Sequence, residues 1–152
     1  MLLFLAFLIG IIAGLRALTA PAAVAWGAAL GWFDVSQTPL AFMGYRWTPW
    51  IFTLLALVEL ATDQLPSTPS RKVPMQFGAR LIMGALSGAT IGAAGGSLIG
   101  GLIAGILGAA AGTLGGAAAR AKLASVFHRD PPAAILEDAV AIVGAILIVA
   151  SV

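Results

Sequence analysis

The residues that could do chemistry in this chain are charges set inside or against apolar runs. "ALVELATDQLPSTPSRK", residues 56–72, closes an apolar run with Glu59 and Asp63, then gives turn residues and two bases. The i, i+4 spacing puts both carboxylates on one face of a helix. Glu137 and Asp138 stand near the start of the last apolar run, Arg16 interrupts the first, and Arg80 opens the third. An ionised group in apolar surroundings needs an opposite charge, a proton or a bound ion. Two readings follow. The charges line the path of a small cation, proton or solute, or they form structural ion pairs that fix helix register.

The elements holding these charges belong to lipid rather than water. The 152 residues are 61% hydrophobic and only 9% charged, with a mean hydropathy of +1.04. A soluble domain carries about 25% charged residues. Residues 81–119 contain no charge at all. This length holds one domain, residues 1–152, with four to six spanning helices of about 20 residues each. Cysteine is absent, which excludes disulfides, thiol catalysis and cysteine metal sites. One His offers no metal cluster, so neither a metal nor another cofactor is expected. A net charge of +2 is no nucleic-acid footprint. "HRD" at 128–130 has no other kinase feature around it, and the glycines lack the G-K-[ST] of a phosphate loop. No catalytic residue is assigned.

Five apolar segments emerge, at 2–32, 49–63, 78–95, 97–119 and 133–152. Unpaired backbone is excluded from lipid, and these runs do not alternate as barrel strands do. The expectation is an all-α polytopic membrane protein of about five transmembrane helices. The N-terminal run lacks a basic leader and contains Arg16, so it reads as a retained helix rather than a signal peptide. Arg71, Lys72, Arg80, Arg120, Lys122 and Arg129 gather on one side of a five-span chain, with Arg46 alone on the other. That bias makes the basic side cytoplasmic, the N-terminus cytoplasmic and the C-terminus periplasmic. Trp32, Trp47 and Trp50 then flank an outer loop, where an aromatic belt belongs.

Rise per residue places the charges in depth. Counted from Pro49, Glu59 lies about 15 Å down and Asp63 about 21 Å. Glu137 and Asp138 lie about 8–9 Å into the last helix from its cytoplasmic start, and Arg16 about 21 Å into the first. Glu59 is the acid nearest Arg16 in depth, and Arg80 can serve Asp63. A straight helix over 2–32 would be about 46 Å long. Pro21 cannot donate to Ala17 and its ring crowds that carbonyl. The first helix is either kinked or broken near residues 17–21, with Thr19 or Ala20 as a new cap. A break at depth is tolerated against protein or a wet cavity, and transporters bind substrates at such breaks. Gly84, Gly88, Gly92, Gly96 and Gly100 recur every fourth residue, as do Gly108, Gly112 and Gly116. These ladders make a glycine-zipper hairpin that admits a close helix partner, from the same chain or from a second copy in a homodimer.

Three stretches carry a resemblance. "GLRALTAPAAVAWGA", "ELATDQLPSTPSR" and "LEDAVAIVGAIL" resemble the marked regions of the bacterial integral-membrane family called domain of unknown function 4126. The resemblance spans essentially the whole chain. It implies a small bacterial inner-membrane protein whose marked positions are Arg16, Thr19, Pro21, Glu59, Asp63, Pro66, Ser70, Glu137 and Asp138. Gln64 departs from the Lys that members often carry. The family brings no established activity. The functional expectation is a channel or ion-coupled transporter of a small solute or cation, using Arg16, Thr19, Glu59, Asp63, Arg80, Glu137 and Asp138. The competing expectation is a non-transporting scaffold or assembly partner. A path demands a water-accessible cavity reaching the carboxylates, whereas a scaffold demands that they be paired and dry.

Overall fold

The computed structural model describes residues 1–62, 74–127 and 130–152. Among them are six α-helices and one 3-10 turn, with no strand. The helices are α1 (Leu2–Leu15), α2 (Thr19–Ala29), α3 (Thr48–Thr62), α4 (Pro74–Ala94), α5 (Leu98–Phe127) and α6 (Asp130–Ala150). The 3-10 turn is Ala41–Gly44. Two stretches, Gln76–Ala94 and Leu98–Leu123, are long and apolar enough to cross a membrane, fewer than the five predicted. α5 also outruns its predicted end, because Ala, Arg, Lys and Leu in "AAARAKLASVF" all favour helix.

The first apolar segment is broken rather than kinked. α1 ends at Arg16, whose backbone is extended (φ −141°, ψ 109°), and α2 starts after Leu18. The break lies upstream of Pro21, which falls at the third residue of α2. In the first turn its missing N–H costs nothing, whereas in a continuous helix it would remove a bond at Ala17. The cap position is Leu18, not Thr19 or Ala20.

Contacts along the helices fix their directions. Leu2 packs at Gly95, Gly10 at Gly105, and Gly14 at Gly112 and Thr113, so α1 runs parallel to α5. α4 and α5 are antiparallel, with Gly84 against Gly105 and Gly92 against Gly101. Ile12 meets Gly144 and Arg16 meets Asp138, so α6 runs antiparallel to α1. α2 leaves the level of Asp138 and reaches Val149 with Gly27, so it runs parallel to α6. α1 and α2 therefore point in opposite directions. The chain enters along α1, turns at Arg16–Leu18 and returns along α2. α3 is antiparallel to α2, since Trp26 Nε1 donates to Thr53 Oγ1 at 2.7 Å and Glu59 reaches Leu18.

The return also sets where the ends of the chain lie in the bundle. Five continuous spans put the termini at opposite ends. Here Leu2 lies beside the α4–α5 turn, and α6 ends toward the same end of the bundle. Hydropathy and length give a segment's extent but not its direction after a break.

Glycine lets α1, α4 and α5 touch through their backbones. A Cβ on Gly105 would sit 2.0 Å from the Gly84 carbonyl oxygen, and one on Gly14 would sit 2.5 Å from the Ala109 carbonyl oxygen. These glycine faces are thus filled from within the chain, by α1 as well as by α4 and α5. Gly96 leaves the ladder to end α4. Its φ of +82° suits glycine, and Ser97 N–H bonds Gly92 O at 2.8 Å in a Schellman turn. Gly100 faces Ser97 and Leu3, while Gly88, Gly92, Gly108 and Gly112 face neighbouring backbone. The outward faces of α3, α5 and α6 are apolar, including Leu54, Leu57, Ile103, Leu107, Val143 and Leu147.

Candidate functional site

A break inside a bundle frees backbone groups, and the site is built from the side chains that meet them. The last turn of α1 presents free carbonyls, with partial negative charge. The first turn of α2 presents free N–H groups, with partial positive charge. Each end receives a side chain of the opposite sign. Arg80 of α4 donates from Nη1 to the Gly14 carbonyl at 2.8 Å. The Thr113 hydroxyl of α5 lies 3.4 Å from the same oxygen and 2.7 Å from the Ala109 carbonyl. Opposite them, the Glu59 carboxylate of α3 accepts the N–H of Ala17 at 2.8 Å and of Leu18 at 2.7 Å.

Arg16 lies between these two ends. Its side chain is fully buried and its guanidinium pairs with Asp138 of α6. Among the described contacts Arg16 pairs with Asp138, where Glu59 was the expected partner, and Glu59 accepts two backbone N–H bonds. The reason is adjacency. α3 packs on α2 and the 3-10 turn, whereas α6 packs on α1. Depth counting favoured Glu59 because it started the first helix at the end of the basic connections, whereas Leu2 lies beside the α4–α5 turn at the other end.

The remaining predicted positions surround this centre. Thr19 is buried at the first position of α2. Glu137 is buried, and its Oε2 lies 3.5 Å from Arg120 Nη1. Gly116, Leu15, Ala119, Leu123, Leu136 and Val140 line a cleft of about 190 Å³ that reaches this pair. Asp63, Pro66 and Ser70 lie outside the described residues, so the partnership of Arg80 with Asp63 does as well. Thr113 and Arg120 were not singled out from the sequence. Thr113 carries no charge to mark it, and Arg120 reads as an ordinary basic-end residue.

The site thus gathers Glu59, Arg80, Thr113 and Asp138 from four helices around the Arg16–Leu18 turn. The arginines are sealed, Arg16 at 0% and Arg80 at 4% exposure, while the Asp138 side chain keeps 19% and Glu59 is half-buried. Fixed positive charge sits inside and the acids sit toward the surface. Chemically this can hold a proton or exchange an arginine for a small cation. Among the described residues it offers no nucleophile beside a base. Among the described residues no group of acids and histidines could hold a metal ion. No protein-family model, curated protein or solved structure matches this chain.

Proposed function

We propose that the chain is an integral membrane protein that passes a proton or a small cation, with the Arg16–Leu18 turn at the centre of the path. The observation that supports this is the turn itself. A helix that stops at depth and doubles back leaves two helix ends among titratable side chains, the arrangement from which transporters build ion sites. Glu59 and Asp138 are the exchanging groups. Arg16 and Arg80 are the fixed positive charges beside them. The arrangement described is the closed one, since Glu59 is engaged with two amides and Asp138 with Arg16. The glycine faces are filled from within the chain, so the proposal does not call on a homodimer. The bilayer is the partner, and the basic end faces the cytoplasm of a bacterial inner membrane.

The test is flux in proteoliposomes under imposed proton, sodium and potassium gradients. Wild type should exceed empty vesicles, and Asp138→Asn should lower flux at least tenfold while remaining helical and monodisperse. A specific observation favours a second reading. The described acids of the cluster are already partnered, and Arg16 is wholly enclosed. Wild-type vesicles silent to all three ions would leave the charges as braces of a non-transporting scaffold.

A further inference from the structure

We infer that residues 2–29 form a re-entrant hairpin, so that the protein crosses the bilayer four times, through α3, α4, α5 and α6, with both termini on the side away from the basic connections. This rests on the membrane reading above and goes beyond it.

Direction is the first argument, and length alone does not decide, since α3 has 15 residues against 14 in α1. α1 has 14 residues and α2 has 11. At 1.5 Å per residue they reach about 20 Å and about 16 Å, both short of a hydrocarbon core of about 30 Å. Joined end to end they would cross. Folded back on one another they cannot, and the contacts show the folded-back form. The N-terminal half of α1 packs at Gly95 and Gly100, beside the α4–α5 turn, and α2 returns to Val149 near the end of α6. The turn between them sits at the level of Arg80, about 9 Å from the start of α4.

Backbone satisfaction is the second argument. Lipid-exposed irregular backbone does not occur in the hydrocarbon region, so a re-entrant tip has to be enclosed by protein. Gly14 O, Ala17 N–H and Leu18 N–H are bonded by Arg80 and Glu59, and Thr19, Ala20 and Pro21 are buried. The tip meets that requirement.

Charge and aromatics set the orientation. The connections 63–73 and 128–129 leave from the end where α3 and α5 finish, and their sequence carries Arg71, Lys72 and Arg129. Arg120 and Lys122 stand near the same end of α5. The opposite end has Arg46 over the Trp47 ring at 5.1 Å, with Trp32, Tyr45, Trp47 and Trp50 exposed. The excess of bases faces the cytoplasm and the aromatic end lies at the outer interface. The outward apolar faces of α3, α5 and α6 are the surface that lipid chains cover.

The chain has no cysteine, so single cysteines report sidedness cleanly. Ser36→Cys, Ser125→Cys, Ser151→Cys and a neutral Ser-Cys-Ser extension ahead of Leu2 would be probed in intact cells with a membrane-impermeant maleimide. Lysed cells serve as the control for total reactivity. The expected result is labelling of the extension, Ser36→Cys and Ser151→Cys from outside, with Ser125→Cys labelled only after lysis. An N-terminal extension protected together with Ser125→Cys would overturn the hairpin and restore five crossings. Ser36→Cys and Ser125→Cys labelling from the same side would instead remove the membrane reading on which the hairpin rests.

Discussion

Glu59→Gln tests the centre of the site most directly. The carboxylate accepts two backbone N–H bonds, at 2.8 Å from Ala17 and 2.7 Å from Leu18. Glutamine keeps one acceptor oxygen and turns an NH2 toward the other N–H, so one charge-assisted bond becomes a donor facing a donor. Such a bond contributes about 1.5–3 kcal/mol. Losing an anion at a helix N-terminus costs about 0.3–1 kcal/mol more. The expected destabilisation is about 2–4 kcal/mol. Trp26 reports it well, because its ring packs edge-on to Trp50 at 5.0 Å across the α2–α3 contact. Denaturant unfolding in mild detergent, followed by tryptophan fluorescence, would measure the shift. Adding Arg16→Gln is the sharper step. If Arg16 were the partner of Glu59, removing both would recover much of the loss. With Arg16 held by Asp138, the second change breaks a separate ion pair, and the double variant should be less stable than either single one. A double variant more stable than Glu59→Gln alone would refute the assignment.

Gly105→Ala should lose several degrees of thermal stability, since its Cβ would meet backbone at 2.0 Å, while Gly115→Ala, with nothing within 4 Å, should hold or gain about 0.5–1 kcal/mol. Arg80→Met leaves the Gly14 carbonyl without its charged donor and should cost about 1.5–3 kcal/mol, readable in the same denaturation assay. Asp34 lies in the loop outside the helices, and hydrogen bonds from the Ser36 hydroxyl and then its N–H hold its carboxyl below the ordinary aspartate value of 3.8. A depressed acid lends order above its unfolded pKa and loses it as pH falls through the lower folded value. Ser36→Ala should therefore move Asp34 back up toward 3.8 in an NMR titration.

Sequence made the parts of this site visible but not their pairing. Arg16, Glu59, Arg80, Glu137 and Asp138 stand out because each is a charge in or beside an apolar run, and all five return near one level of the bundle. The break was legible from Pro21 and from a run too long for one crossing. Its position upstream was not, because a proline fits anywhere in a first turn and does not say which residue precedes that turn. The return of α2 was illegible for a related reason. Residues 16–18 carry no turn signal, and the reversal is held by Glu59, Arg80 and Asp138 from helices far away in sequence. The glycine ladder was legible as a contact face, yet spacing alone did not name its partner. α1 fills it through Gly10 and Gly14, which lie outside the ladder.

The signs of the charges around the turn constrain both functional readings. A scaffold could have satisfied the free backbone of a broken helix with neutral groups such as Thr113 and avoided ionised groups in a poorly hydrated place. Instead an arginine meets the carbonyl end and a carboxylate meets the N–H end, so the turn is stable only while both stay charged. Protonating Glu59 removes its charge from the α2 terminus and gives one oxygen a hydrogen that points at a donor. Protonating Asp138 leaves Arg16 without that counter-charge. On the proton-linked reading, either event would weaken the hold of α3 or α6 on the hairpin. What separates the two readings is whether the hairpin yields at a physiological proton gradient, which the vesicle measurement reads directly.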